Sequence, residues 1–225
     1  MSAAVSSFSS RRRLLLGTLA APLASALPAP AQAGAQRYEP LADSVRVALA
    51  ARIADARPPL RNFDDPVARV AFIEWMGEMS GRLVKRKPDD RLRLDFLRTL
   101  DYEAARAGLD PQLVLALIEV ESNFRKYAIS SAGARGYMQV MPFWTNVIGD
   151  GDAGKLFDMG TNLRYGCVIL RHYLDLEQGN LYYALGRYNG SRGRPEYPNA
   201  VNAVWQKRWN FAPRLATASA ATPSN

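Results

Sequence analysis

Cysteine and histidine are nearly missing from this sequence, with one of each, Cys167 and His172, in 225 residues. A single cysteine excludes an internal disulfide. One histidine cannot build a histidine-rich metal site, and no HExxH run is present, so no metal and no cofactor are expected. Cys167 and His172 lie five positions apart on one predicted helix and point well round its axis from each other, which argues against a cysteine–histidine catalytic pair. Cys167 follows Leu163 by four and precedes Leu170 by three, the spacing of a small core residue.

An uninterrupted apolar run of the roughly 20 residues needed to span a membrane is also missing. The best candidate, from Leu14 to about Leu27, is broken by Pro22. It follows Arg11, Arg12 and Arg13 and is succeeded by Ala31-Gln32-Ala33, the layout of a cleavable signal peptide over residues 1–33. The arginines serve either as an ordinary basic n-region or as a twin-arginine signal. No cysteine ends the run to take a lipid. The expectation is therefore a periplasmic or secreted protein with no stable membrane anchor.

Acidic residues are the minority, 21 against 29 Lys and Arg. Removal of residues 1–33 takes three arginines and no acid, leaving 26 basic residues against 21 acidic ones, a net of about +5. That modest excess suits diffusion along an anionic polymer. The charges are interspersed and no nucleic-acid-binding motif is present, so nucleic acid is not an expected partner.

Hydrophobic periodicity predicts helices almost throughout. Leu41, Val45, Leu49 and Ile53, four apart, suggest one; Val67, Val70, Ile73, Met76, Leu83 and Val84, introduced by Asp65-Pro66, suggest a second; a third starts near Pro88-Asp89 and runs to Ala107. Gly108 stops it, and Asp110-Pro111 starts the next helix at once. Residues 34–107 thus read as a helical N-terminal region packed on the part of the chain that follows. The acid-containing stretch 149–154 lacks the ligand alternation and closing glutamate of an EF-hand loop and reads as a surface loop. Asp158 or Thr161 caps a helix carrying Leu163, Cys167, Leu170 and Leu174. Another begins near Asn180, and a closing helix spans 199–209. Residues 214–225 read as a disordered tail.

The stretch 109–144 is where chemistry concentrates. On a helix from Pro111 to about Phe124, Val114, Leu117, Ile118 and Glu121 share one face, which places Glu121 against apolar surroundings. Gln112, Glu119 and Asn123 fall on the other side, so Glu119 is expected to be solvated. Desolvation raises the proton affinity of a carboxyl, and a rise of roughly two units makes it substantially protonated at neutral pH. The bland alternative is a glutamate that reaches past the core to water or a cap.

After the helix come Ser130, Ser131, Gly133 and Gly136, then Tyr137, Met138, Gln139, Val140, Met141 and Pro142, and later Gly186, Arg187, Tyr188, Asn189 and Gly190. These three blocks, covering about half of the chain, resemble the catalytic domain of the soluble lytic transglycosylase family of peptidoglycan-cleaving enzymes. The resemblance implies a mainly α, lysozyme-like domain with a small irregular or β-like segment over residues 130–139. It assigns Glu121, followed by Ser122, as the sole catalytic acid and Tyr188 as its partner. Ser122, Tyr137, Met138, Gln139 and Asn189 become candidates for binding the saccharide. Two departures stand out: Tyr137 occupies a position commonly held by leucine, and Gly190 follows Asn189 directly.

The expected organisation is a signal peptide (1–33), a helical region (34–107), a catalytic domain (108–213) and a tail. The expected partner is the glycan strand of peptidoglycan, cleaved without water at the MurNAc–GlcNAc bond to leave 1,6-anhydro ends. Two alternatives stay open: a lysozyme-type hydrolase using a second acid such as Asp150, Asp152 or Asp158, and a non-catalytic wall-binding protein.

Overall fold

Three of the first four helices open on the same local device, an aspartate that accepts backbone N–H bonds at the N-terminus. In the computed structural model, which describes residues 36–57 and 61–214, Asp65 caps α2 (Pro66–Leu83), Asp89 caps α3 (Asp90–Arg106) and Asp110 caps α4 (Pro111–Ser122). Each side chain satisfies donors that the first turn leaves free, and proline at the first position of α2 and α4 needs no such donor. Helix α1 (Asp43–Ala54) lacks a side-chain cap. The predicted signal peptide, and the predicted tail from residue 215 onward, lie outside the described residues.

The described part is mainly helical, as expected. After α4 the chain forms two isolated antiparallel bridges, Ile129 with Arg135 and Arg135 with Val140, which constitute the small β-like segment. A short helix α5 (Phe143–Ile148) comes next, without a periodic signal in the sequence, followed by a 3-10 turn (Ala153–Phe157) that begins inside the expected surface loop 149–154. Asp158 and Asn180 then cap α6 (Met159–Leu176) and α7 (Leu181–Asn189). The closing helix starts earlier than its apolar spacing indicated: α8 spans Glu196–Val204 and continues as a π-helical turn, Trp205–Trp209.

Helix α4 is the axis of the packing. It contacts α3 on one side and α8 with the π turn on another, while α6 bridges α3 to α7. From Leu113 to Glu119 every residue of α4 is buried. A helix enclosed on all sides must be apolar all round, and Leu113, Val114, Leu115, Ala116, Leu117 and Ile118 meet that demand without a break. Burying each of the larger ones is worth about 1.5–3 kcal/mol.

The N-terminal helices join this same core. Leu49 and Ile53 of α1, Met79 and Leu83 of α2, and Phe96, Leu97 and Leu100 of α3 are buried in one cluster with the apolar residues of α4 and α6. A fragment beginning at Gly108 is therefore expected to be insoluble or to unfold at a clearly lower temperature than the full chain, as read by thermal denaturation. Equal melting temperatures would make residues 36–107 an independent unit.

Candidate active site

Glu121 sits one residue before the end of α4, where the chain turns sharply. Asn123 and Phe124 take left-handed backbone conformations, φ 48° and 62°, which non-glycine residues adopt at a cost of order 1–3 kcal/mol each. The turn sends the chain back across the end of α4, so that residues 128–140 lie beside Ser122 and Glu121.

The carboxyl of Glu121 is 5% exposed and has one hydrogen-bond partner. The Tyr197 hydroxyl, from the first turn of α8, donates to its Oε1 at 2.5 Å. Its other oxygen, Oε2, is buried with no partner. Burial pushes this carboxyl up to about 8, and only the Tyr197 hydrogen bond acts in the opposite direction. Glu121 is thus a protonated acid at neutral pH, with one oxygen held and one free to interact.

Glu119 differs from its expected solvated state. It is 8% exposed, because the turn after α2 and the π turn cover the side of α4 that the helical wheel left to solvent. Its Oε1 accepts from Arg86 at 2.8 Å and from Arg208, and its Oε2 accepts from the Trp209 indole at 2.7 Å. Two guanidinium groups and an indole satisfy its charge. Glu119 fastens the π turn and the segment after α2 to α4.

The residues that sequence comparison with the family suggested for saccharide binding form a wall built largely of backbone. Ser122 donates to the Tyr137 carbonyl at 2.7 Å. Met138 N–H donates to Asn162 Oδ1 at 2.8 Å, and Asn162 Nδ2 in turn donates to the carbonyls of Arg135 and Leu156. Gln139 turns its amide inward onto the Ala128 and Gly136 carbonyls. Tyr137 points away into the α3 side, packed against Phe96, with its hydroxyl accepting from Lys87 at 2.7 Å. Desolvation lowers Lys87 to about 8.

Two glycines permit this wall. Gly136 has φ +75°, and a Cβ there would lie 2.5 Å from the Leu156 carbonyl oxygen. A Cβ on Gly166 of α6 would collide with the Met138 side chain. Met138 therefore rests directly on the α6 backbone.

Tyr188 is fully buried, and its hydroxyl donates to the Met138 carbonyl at 2.8 Å rather than to Glu121. Burial, with the Glu121 carboxyl nearby, raises its phenol well above the ordinary tyrosine value. Asn189 donates to Ser191 Oγ at 3.0 Å, while its own Oδ1 is buried without a partner. The hydroxyl on Glu121 belongs to Tyr197, which sequence reasoning missed. Its only sequence signal is a place one helical turn before Val201, which reads as ordinary core spacing.

The N-terminal segment completes the site. Gln36 is buried; its Oε1 accepts from Trp144 Nε1 at 3.1 Å and from Met141 N–H at 3.3 Å, and its Nε2 donates to the Gln139 carbonyl at 3.4 Å. The acids weighed as second catalytic groups are committed elsewhere. Asp150 pairs with Lys155, Asp152 accepts from Gly154 N–H, and Asp158 caps α6.

A buried acid that, among the described residues, has no cationic partner thus ends an enclosed helix near a glycine-dependent wall. The family described as "Transglycosylase SLT domain" matches residues 98–211, just over half of the chain, and the chain belongs to that family. It is 31% identical over 104 residues to the "Transglycosylase" of Enterobacteria phage PRD1, covering 46% of this chain and 38% of that protein. It is 38% identical over 92 residues to "Membrane-bound lytic murein transglycosylase C" of Actinobacillus pleuropneumoniae, covering 41% of this chain and 24% of that one. The protein of the same name from Yersinia pestis is 29% identical over 119 residues, 46% of this chain and 33% of the relative. The matched part thus spans well under half the length of each of these relatives.

The two glutamates generate opposite expectations. The folded-state value of about 8 for Glu121 lies above its ordinary 4.5, so the folded chain holds this proton more tightly than the unfolded chain. That contribution is complete below about pH 4.5 and is lost as pH rises through about 8. Glu121→Gln, which cannot ionise, is expected to gain stability relative to wild type across that window, on the order of a few kcal/mol by denaturant unfolding. Glu119→Gln is expected to lose about 1–3 kcal/mol at neutral pH, since it strands Arg86 and Arg208.

Proposed function

We propose that this protein is a peptidoglycan lytic transglycosylase in which Glu121 serves as acid and then as base. The observation that carries this reading is the state of that one side chain: buried, protonated near neutrality, held at Oε1 by Tyr197 and unoccupied at Oε2. The Glu121 proton passes to the glycosidic oxygen as the bond from that oxygen to C1 of the MurNAc residue breaks. The resulting carboxylate then takes the proton of that residue's own 6-hydroxyl, and O6 bonds to C1. No water is consumed and the carboxyl is regenerated. A positioned group of this kind contributes about 10² to 10⁴ in rate.

The same burial that keeps Glu121 protonated keeps bulk water from it, which favours attack by a hydroxyl already attached to the substrate. The common hydrolytic routes use a second carboxylate, either to activate water or as a nucleophile. Asp150, Asp152 and Asp158 are engaged as surface pairs and caps. Tyr197 is the group that orients the acid. Tyr188, Met138, Gln139 and Ser122 shape the wall, chiefly through the backbone they fix, and Asn189 keeps a buried carbonyl oxygen without a partner among the described residues. Residues 36–107 brace the catalytic helix, and the glycan strand is the partner. We further propose export with removal of residues 1–33, which the intact mass of protein from the envelope fraction tests.

Digestion of peptidoglycan by the wild-type protein is expected to release muropeptides with 1,6-anhydro-N-acetylmuramic ends, one water lighter than hydrolytic products and resistant to borohydride. Mass spectrometry reads this directly, and reducible ends would reassign the protein as a hydrolase. Glu121→Gln is expected to abolish turnover.

Tyr197→Phe removes the one hydrogen bond that, among the described residues, favours the ionised acid. Its alkaline limb in kcat/KM is therefore expected to move to higher pH, with reduced turnover.

A further inference from the structure

A cavity of about 340 Å³ lies where two segments, 37–39 and 187–194, meet, lined by Arg37, Glu39, Arg187, Ser191, Arg192 and Arg194 among others. Each segment runs directly into the site described above. Gln36, beside Arg37, bonds the Gln139 carbonyl. Ser191 and Arg192 follow Tyr188 and Asn189, and Arg194 precedes Tyr197 by three residues.

The charges in this cavity do not balance. Glu39 accepts both of its bonds from Arg187 at 2.9 Å. Outside the lining, Glu177 accepts from Arg187 and, at 2.6 and 2.9 Å, from Arg192. These bonds, the Arg192 one foremost, hold Glu177 down at about 2, so it stays ionised at every relevant pH. Two acids thus serve two arginines. Among the described residues, the guanidinium groups of Arg37 and Arg194 have no ion-pair partner. Ser191 Oγ accepts from Asn189, so its own proton remains available to donate.

Two unpaired guanidinium forks and a hydroxyl donor around one cavity match a carboxylate, which accepts two parallel N–H bonds from a guanidinium. In the substrate assigned above, carboxylates sit on the peptide stems carried by muramic acid and, where stems have been removed, on its lactyl group. We propose that Arg37 and Arg194 bind a carboxylate of the peptide stem and so make this protein select stem-bearing glycan strands. The adjacent Asn189 Oδ1, buried and unpartnered, is an acceptor suited to an amide N–H of the same stem. The proposal rests on the lytic transglycosylase reading for its substrate but not for its test.

Binding separates the two. Calorimetry with full-length Glu121→Gln protein and soluble, uncrosslinked, tetrapeptide-bearing glycan oligosaccharides is compared with the same protein carrying Arg37→Ala and Arg194→Ala. The double change is expected to weaken binding about tenfold or more, equivalent to about 1.4 kcal/mol per decade. Arg37→Lys with Arg194→Lys should recover part of the loss, and thermal melting should be unchanged. Amidase-treated oligosaccharides, which keep only the lactyl carboxylate, should bind equally to both proteins. An equal loss on the two ligands would move the contact to the lactyl group and overturn the stem assignment. Unchanged affinity for stem-bearing ligand, or no binding to it, would overturn the proposal altogether. If arginine-dependent binding stands while wild-type protein yields no anhydro ends, the carboxylate site survives and the catalytic reading fails.

Discussion

Keeping one carboxyl out of water is the constraint on which the site depends. Glu121 and Glu119 are two residues apart on one helix and almost equally buried, at 5% and 8% exposure, so burial alone does not distinguish them. Their partners do. Glu119 accepts from two arginines and an indole, whereas Glu121 accepts from one phenol. A buried carboxylate with cationic donors stays charged and structural; a buried carboxyl with a single neutral donor keeps its proton. The difference between the two carboxyls is therefore set as much by Arg86 and Arg208, which bind Glu119, as by anything touching Glu121.

The helices introduced by Asp or Asn were legible in the sequence because their signals are local, whereas α5 has no such cap and α8 begins three residues before the expected Asn199. Asp65, Asp89, Asp110, Asp158 and Asn180 all accept backbone N–H bonds where capping chemistry places them. The apolar face that carries Glu121 was legible for the same reason. The state of Glu119 was not, since a helical wheel assumes that one side of a helix meets water. The unbroken run Leu113 to Ile118 was the available sign that α4 has no such side. The groups that cover Glu119 come from 33 and 89–90 residues away, and no periodicity encodes that. Tyr197 escaped for a similar reason: its bond to Glu121 spans 76 positions.

The wall beside the acid shows a second way in which residue identity and role diverge. Ser122, Met138, Gln139 and Tyr188 sit in motifs that read as ligand contacts, yet their polar atoms hold one another's backbone. Ser122 bonds the Tyr137 carbonyl, Tyr188 bonds the Met138 carbonyl, and Asn162 joins the segment 135–138 to Leu156. A loop with only two isolated bridges has few ladder bonds to fix its shape, so buried side chains supply the missing partners. The precision required near Glu121 is then met by rigid backbone, with Gly136 and Gly166 allowing it to lie close against its neighbours.

The family match begins at residue 98, inside α3, but the site does not begin there. Arg86 and Lys87 reach Glu119 and Tyr137 from the turn after α2. Gln36 satisfies three polar groups on Gln139, Met141 and Trp144 that would otherwise face inward unpaired. An inward-facing donor or acceptor without a partner costs about 1–3 kcal/mol, so the segment around Gln36 is fastened to the wall by the same accounting that governs the core. That attachment carries Arg37 to the mouth of the cavity opposite Arg194. The segment around Gln36 and the turn after α2, both outside the matched residues, thus add the polar contacts that fasten the wall and Glu119.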